Sequence, residues 1–432
     1  MHIYFSGIGG TAIGPLALIA KEAGFNVSGS DKYDSSYIKE LKKLGINDIH
    51  IGQTKEAIAK VHDSRPIDWL VYSSAVTMED SHHPELEFAK SQSIKKSDRS
   101  EFISYFLSEK KLEMVAIAGT HGKTTTTAMV IWLCKQLDFP ISYSLGAKNS
   151  FGNMGQYLPG SKYFVYEADE FANNFLAYKP VLSLITGVTW DHHEIFPTRE
   201  DYQAAFREFI AGSQRTIIWQ EDFDYLQIDS PINIVIQETD NPVIELLQQK
   251  GRYNRLDGWL AIQAVHRLTD TPIGKLVGLI NSFPGISRRM EEIAKNLYSD
   301  YAHTPDKIRG GMSVAMETAA EHNQQLAIIY EPLTNRRQHY VAKEYKNSFD
   351  GASKIYWIPS YLAREDPLQP NLSPKELISH LSDPSIAEPA KMGPELKKTI
   401  KEHLDKGDLV VAMSGGGGNS LDEWLRENFK DS

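Results

Sequence analysis

The sequence is poor in several things, and each absence narrows the field. Among 432 residues there is one cysteine, Cys134. No disulfide can form within the chain, and the composition suits a reducing compartment such as the cytoplasm. No apolar run approaches the ~18 residues that cross a bilayer. The first residues lack the basic stretch, apolar core and small-residue cleavage site of a secretion signal. Positive charge is in deficit: 46 Lys and Arg against 56 Asp and Glu leave a net charge of -10. Neither a membrane nor a nucleic acid is therefore expected as a partner, since the latter needs a basic face. A small anionic ligand stays open, because it needs only a few local cations and backbone N–H groups. One thiol and no HExxH spacing make a zinc site a poor fit.

What is present is an ordinary globular composition, 41% hydrophobic and 24% charged, over a length that suits two to four domains. In the first hundred residues apolar strands alternate with helical stretches: "HIYFSGIGG", "TAIGPLALIAKEAG", "NVSGSD", "SYIKELKKLG", "DWLVYSSA", "ELEFAKSQ". This βαβ rhythm predicts a parallel sheet with helices on its faces. A second unit opens with the strand "MVAIAG", a polar loop and the helix "TTTTAMVIWLCKQL"; a third opens near residue 294. An α/β chain of three domains is expected, bounded at 1–108, 109–293 and 294–432.

Two loops look built for phosphate. Gly7, Gly9, Gly10 and Thr11 lie between a strand and a helix, and Asp31 ends the next strand. Glycines there let backbone approach a diphosphate at the helix N-terminus. A nicotinamide site, another diphosphate and a bare βα turn all fit this loop. The second loop, Gly119-Thr120-His121-Gly122-Lys123-Thr124-Thr125, is a shortened P-loop. Its amides would cradle phosphates, Lys123 would reach the β- and γ-phosphates, and the Thr124 hydroxyl would ligate Mg²⁺. A nucleoside triphosphate site in the middle of the chain argues against a dehydrogenase.

Acids and histidines follow at strand ends. "YFVYEADE" places Glu167, Asp169 and Glu170 behind one apolar strand, and "GVTWDHHEIF" places Asp191, His192, His193 and Glu194 behind the next. In a parallel sheet, ligands bind beyond the carboxyl ends of strands. These groups should gather near the P-loop, where carboxylates can hold Mg²⁺ alongside phosphate.

Taken together, "GTHGKTTTT", "EADE…FL" with "WDHHEIF", "GRYNRLDGWLAI" and "FPGISRRMEEI…DYAHTPD" resemble the Mur ligases, ATP-dependent amide-forming enzymes of peptidoglycan precursor synthesis. The N-terminal "GIGGTAIGPLA", "GSD", "SSAV" and "HPEL" resemble the branch that binds UDP-N-acetylmuramate. The resemblance covers essentially the whole chain. It implies a Rossmann-like N-terminal domain for the UDP-sugar, a P-loop ATPase-like central domain, and a Rossmann-like C-terminal domain for the amine substrate. It implies ATP and Mg²⁺ as cofactors, small-molecule partners only, and a monomer or homodimer.

Residue by residue, the resemblance gives Lys123, Glu167, His192, Arg289 and Asp300 the catalytic work. Thr124, Glu167 and His192 would meet the metal. Asn254 and Asp257 would stand on the adenine side; the family has asparagine where this chain has Asp257. Gly7, Gly9, Gly10, Thr11, Asp31, Ser73 and Ser74 would line the UDP-sugar site. Other Mur ligases carry a carbamylated lysine about fifteen residues after the "DH"; here that position is Phe206, and no lysine lies between Lys179 and Lys250. The muramate-binding branch also lacks that lysine.

The implied reaction couples the lactyl carboxylate of UDP-N-acetylmuramate to an amine through an acyl phosphate. The amine is L-alanine or the L-Ala-γ-D-Glu-diaminopimelate tripeptide: the short step from "EADE" to "FL" favours L-alanine, whereas "GTAIG", "DHHEIF", "RRME" and "EPLTN" look closer to the tripeptide ligase. A non-catalytic UDP-sugar-binding relative is the other alternative, against which the intact Lys123, Glu167, His192 and Arg289 argue. Arg336 and Arg337 are candidates for a carboxylate on that amine, or solvated loop residues. The glycine run Gly415–Gly418 is either an anion nest or a plain turn.

Overall fold

The computed structural model describes residues 1–432 except 74, 75, 78, 79, 81, 193, 194, 230, 363, 364, 366, 367, 417, 418 and 430–432. The chain forms two compact units: residues 1–247 with 256–284, and residues 248–255 with 285–432.

The first unit holds two sheets. One contains β1 (His2–Ser6), β2 (Asn26–Asp31), β3 (Ile49–Ile51), β4 (Trp69–Tyr72) and β5 (Lys95–Asp98), all parallel, in the order β3-β2-β1-β4-β5. Strand order reverses between β1 and β4, so the loops after those strands part and leave a crevice at their carboxyl ends. β1 is buried along its whole length, which is why it reads as a continuous apolar run.

The other sheet contains β6 (Glu113–Ala118), β7 (Ile141–Ser144), β8 (Gly155–Gln156), β9 (Tyr163–Glu167), β10 (Leu182–Ile185), β11 (Thr216–Trp219) and β12 (Ile234–Gln237), in the order β12-β11-β10-β6-β9-β7-β8. Only the edge strand β8 runs antiparallel. β6, the strand before the P-loop, sits between β10 and β9, so the segments after all three strands converge.

One core joins the two sheets. It runs from Ile3 and Phe5 through Phe102 and Phe106 to Phe164, Tyr166 and Phe206. Phe102 is fully buried, edge-on to Phe5 at 5.4 Å and to Trp69 at 5.8 Å, with Phe106 at 6.1 Å. Polar ties cross as well: Arg99 to Asp169 at 2.8 Å, Lys148 to Glu40 at 3.1 Å, and the Tyr157 amide donating to Glu22 at 2.6 Å. A Cβ on Gly155 would strike the Pro15 carbonyl, so glycine lets the β8 edge lie directly on the first helix, Gly14–Glu22.

The second unit holds β13 (Glu291–Ala294), β14 (Leu297–Asp300), β15 (Leu326–Glu331), β16 (Lys354–Trp357), β17 (Ala387–Pro389) and β18 (Leu409–Ser414), in the order β13-β14-β18-β15-β16-β17. β13 is antiparallel and the rest are parallel. Apolar clusters cover both faces, one around Tyr330, Tyr345 and Trp357, the other around Leu297, Ile329 and Leu425. Among the described residues no helix is long and apolar enough to cross a membrane.

Phe102→Ala should cost about 3–5 kcal/mol, the usual loss for a fully packed aromatic. The midpoint of urea unfolding, followed by tryptophan fluorescence, checks this.

Candidate active site

The phosphate loop follows directly from β6. Its local shape is set by two glycines with positive φ, Gly119 at 141° and Gly122 at 75°. Other residues adopt such angles at a cost. The loop is stitched to the strand beside it: the Thr120 amide donates to the Gly187 carbonyl at 2.7 Å, and Thr186 N to the Ala118 carbonyl at 2.9 Å. Thr120 Oγ1 bonds the Thr189 carbonyl and the Tyr202 hydroxyl, both at 2.8 Å, and His121 Nε2 meets Thr189 Oγ1 at 2.7 Å. The loop then opens into the helix Lys123–Gln136, which has no side-chain cap. Such an N-terminus carries amides and a dipole suited to phosphate.

Lys123 folds back over the loop. Its Nζ donates to the Gly119 carbonyl and to Glu170 Oε2, the latter at 2.8 Å. The pair is enclosed, with the Lys123 side chain 15% exposed and Glu170 1% exposed. Burial works against the ammonium charge, but Glu170 and Asp169 outweigh it and hold the Lys123 pKa above its ordinary value. Glu170 also lies 3.3 Å from the Tyr202 hydroxyl and 3.7 Å from His192 Nε2. Asp169 is half-buried; desolvation works against its charge, yet Arg99 and then Lys123 beside it keep its carboxyl below the usual carboxylate range.

Thr124 and Glu167 meet at the end of β9: Thr124 Oγ1 donates to Glu167 Oε1 at 2.8 Å. Two oxygens at that spacing match one edge of an octahedron with Mg–O distances of about 2.0–2.1 Å. The donor set is hard oxygen, so the pair fits Mg²⁺. His192 has a left-handed backbone, φ 55°. Its amide donates to Asp191 at 2.7 Å, and its ring stands edge-on to Phe171 at 5.0 Å. The structure thus brings Lys123, Thr124, Thr120, His121, Glu167 and His192 to the ends of β6, β9 and β10. It adds Glu170 and Tyr202. The sequence marked Glu170 as a strand-end acid without giving it a role, and nothing local to Tyr202 pointed to the loop. Thr125 lies inside the first turn of the helix and is buried.

Two residues on the helix Arg252–Thr269 behave differently. Asp257, 6% exposed, packs against Gly122: a Cβ there would come within 3.0 Å of its Cγ. The Asn254 amide group, in the other compact unit, donates to the Lys250 carbonyl at 2.8 Å.

The N-terminal loop sits over the β1–β4 crevice. Gly7, φ 83°, and Ile8 both donate to the Ser30 carbonyl at 2.9 Å. The Gly9 amide donates to Asp31 Oδ2 at 2.8 Å, and Gly10 N to the Gly7 carbonyl at 3.1 Å. Asp31 therefore ties down the loop itself. Thr11 follows in the turn before the first helix. Ser73 flanks the loop, its Cβ 3.3 Å from where a Gly7 Cβ would be. Ser74 lies outside the described residues, as do His193 and Glu194. Below the loop, fully buried Glu85 accepts from Ser6 Oγ at 2.5 Å and from Tyr4 OH at 2.7 Å.

In the second unit, Asp300 ends β14 and accepts from two amides, Met290 at 2.8 Å and Ala302 at 2.9 Å. Burial nevertheless raises its pKa against the pull of Arg289. Arg289 lies over the Tyr301 ring at 5.1 Å. Arg288 is spent on structure, donating to the Ser414 and Gly416 carbonyls at 3.1 and 3.0 Å. Arg336 and Arg337 open the helix Asn335–Val341; the amides of Asn335 and Arg336 donate to Glu365 at 3.1 and 2.8 Å. In the glycine run, a Cβ on Gly415 would strike the His303 ring and one on Gly416 the Tyr361 ring. Gly417 and Gly418 lie outside the described residues.

Against known families, residues 2–111 match the Mur ligase family catalytic domain and residues 117–241 the Mur ligase middle domain. The chain is 27% identical to the UDP-N-acetylmuramate–L-alanine ligase of Renibacterium salmoninarum, covering 96% of this chain and 93% of that one. It is 29% identical to the enzyme of the same name from Lachnospira eligens, over 96% of each. Among solved structures, the UDP-N-acetylmuramate–alanine ligase of Thermotoga maritima shares the fold at a TM-score of 0.78 and 23% identity, over 99% of this chain and 98% of that one. A murein peptide ligase from Psychrobacter arcticus does so at 0.69 and 21%, over 100% and 99%.

Asp222 supports the loop before His192 by accepting from the Val188 amide at 2.8 Å. Burial raises its pKa to about 6, against about 3.9 in an unfolded chain. The folded state thus keeps this proton longer than the unfolded one. The contribution of Asp222 to stability is greatest below about pH 4 and is lost as pH rises through about 6. Asp222→Asn should flatten that fall and gain about 3 kcal/mol at pH 7.5, measured by unfolding across pH 4–8.

Proposed function

We propose that this chain, which belongs to the Mur ligase family, joins L-alanine to the lactyl carboxylate of UDP-N-acetylmuramate using ATP. The observation that carries the reading is the pairing of two phosphate loops in one compact unit. Gly7–Thr11 serves the sugar nucleotide and Gly119–Thr125 serves ATP. Similarity to L-alanine ligases along almost the whole chain supports this choice of amine over a tripeptide. We place the reaction in the cytoplasm.

A carboxylate must approach a phosphate to about 3–3.5 Å although both are anionic. In our reading Lys123 leaves Glu170 for the β- and γ-phosphates, and the amides at the start of its helix take the remaining charge. Thr124 and Glu167 would hold Mg²⁺, and His192, which faces Glu170 at 3.7 Å, is assigned to the same ion. When bound, the ion shields the transferring phosphoryl group. The carboxylate oxygen attacks the γ-phosphorus and ADP departs. The amine then attacks the acyl carbon, and phosphate leaves with the oxygen that joined it to carbon.

Glu170, once released by Lys123, can take a proton as the amide forms. Arg289 and Asp300, with Asn254 and Asp257 on the adenine side, are assigned to the nucleotide. The Gly7, Gly9, Gly10 and Thr11 loop, Ser73 and Ser74 are assigned to the UDP diphosphate. Asp31 acts on that site through Gly9.

Phosphate release in the presence of ATP, Mg²⁺ and UDP-N-acetylmuramate should respond to L-alanine and much less to L-Ala-γ-D-Glu-diaminopimelate. The reverse preference assigns the tripeptide, and release with neither amine sinks the ligase reading. Lys123→Ala should lower turnover at least ~100-fold while UDP-N-acetylmuramate still binds, as titration calorimetry can read. Chelation by EDTA should abolish turnover, with Mg²⁺ restoring it, and Thr124→Ala should raise the Mg²⁺ concentration required.

A further inference from the structure

Arg99 is the most deeply buried cation near the phosphate loop that the reaction above does not use. It opens the helix Arg99–Lys110, whose cap Asp98 ends β5 of the first sheet. It is 8% exposed, and its Nη2 donates across to Asp169 Oδ2 at 2.8 Å. A buried charge is kept only where it is paired, and its partner here belongs to the Glu167–Glu170 segment of the other sheet.

Asp169 has two connections besides Arg99. Its Oδ1 accepts from the Phe171 amide at 3.2 Å, which fixes the turn that follows Glu170. Its charge, with that of Glu170, also favours the ammonium form of Lys123. Three carboxylates, Glu167, Asp169 and Glu170, thus stand close to one lysine. Glu167 is engaged by Thr124. Asp169 would compete with Glu170, and later with ATP, for Lys123 unless another cation held it.

We propose that Arg99 is a positioning residue for the ATP end: it holds Asp169 away from Lys123, so that the lysine rests on Glu170 and can pass to phosphate. The residue comes from the sheet that carries the sugar-nucleotide loop, so the first sheet supplies part of the geometry of the ATP site. The role rests on the ligase reading for its meaning, but its core, a lysine kept available to nucleotide, can be tested without turnover.

The test is binding of a non-hydrolysable ATP analogue with Mg²⁺ to the full chain, measured by calorimetry for R99M, D169N and R99M/D169N. R99M leaves the Asp169 charge unpaired beside Lys123, and affinity should fall roughly 100-fold. In R99M/D169N the competing charge is gone, and affinity should return to within about tenfold of the unmodified protein. Affinity for UDP-N-acetylmuramate should change less than about threefold throughout, a small effect on this scale. Should R99M not fold, R99Q with R99Q/D169N gives the same comparison, because glutamine also removes the charge while keeping a polar side chain.

Rescue by the second substitution supports the inference. A double variant as weak as R99M or weaker, or R99M binding as tightly as the unmodified protein, overturns it. A chain that binds the analogue but releases no phosphate with either amine refutes the ligase reading alone; the binding cycle still decides the role of Arg99.

Discussion

The contact between Lys123 and Glu170 is the constraint around which the site is arranged. A lysine beside a phosphate loop must keep its charge, yet the loop lies where burial disfavours charge. Glu170, 1% exposed and 2.8 Å away, with Asp169 close by, resolves the conflict before any nucleotide arrives. The rest follows from holding that carboxylate still. Tyr202 and His192 lie against it, Thr120 ties Tyr202 to the loop, and Arg99 steadies the neighbouring acid. ATP replaces one anion by another at the lysine, so the site is preorganised for charge at little reorganisation cost.

The sheet architecture makes that arrangement available. β6 lies between β10 and β9, and the loop, the acids and His192 all follow the carboxyl ends of those three strands. The first sheet repeats the device with a different loop, where the crevice between β1 and β4 is floored by Ser6 and Glu85. Because one core joins the two sheets, the two phosphate loops are held by a common frame.

Much of this was legible in the sequence. The βαβ rhythm announced parallel sheets, and "GTHGKTTTT" announced a phosphate loop between a strand and a helix. "EADE" and "WDHH" fell where strands end, so their convergence on the P-loop followed from topology alone. What the sequence hid were contacts between distant segments. Arg99 and Asp169 are seventy residues apart, and Tyr202 reaches the loop from the helix Arg199–Gly212, 82 residues beyond Thr120. Their side chains carry no local signature, since an arginine at a helix start and a tyrosine on a helix face are unremarkable. Asp31, expected to line the sugar-nucleotide site, also ties its own loop through Gly9. Asp257, which departs from the family's asparagine, lies against Gly122, a closeness that spacing along the chain could not give.

Direct transfer of phosphate to the carboxylate of the sugar nucleotide at the Lys123 loop is tested most directly with UDP-N-acetylmuramate labelled with ¹⁸O in the lactyl carboxylate, with ATP and L-alanine, and mass analysis of the phosphate released. An acyl phosphate requires one labelled oxygen to pass from carboxylate to phosphate in each turnover. Phosphate carrying that label is the predicted result; phosphate released with amide formation but without label would contradict the account.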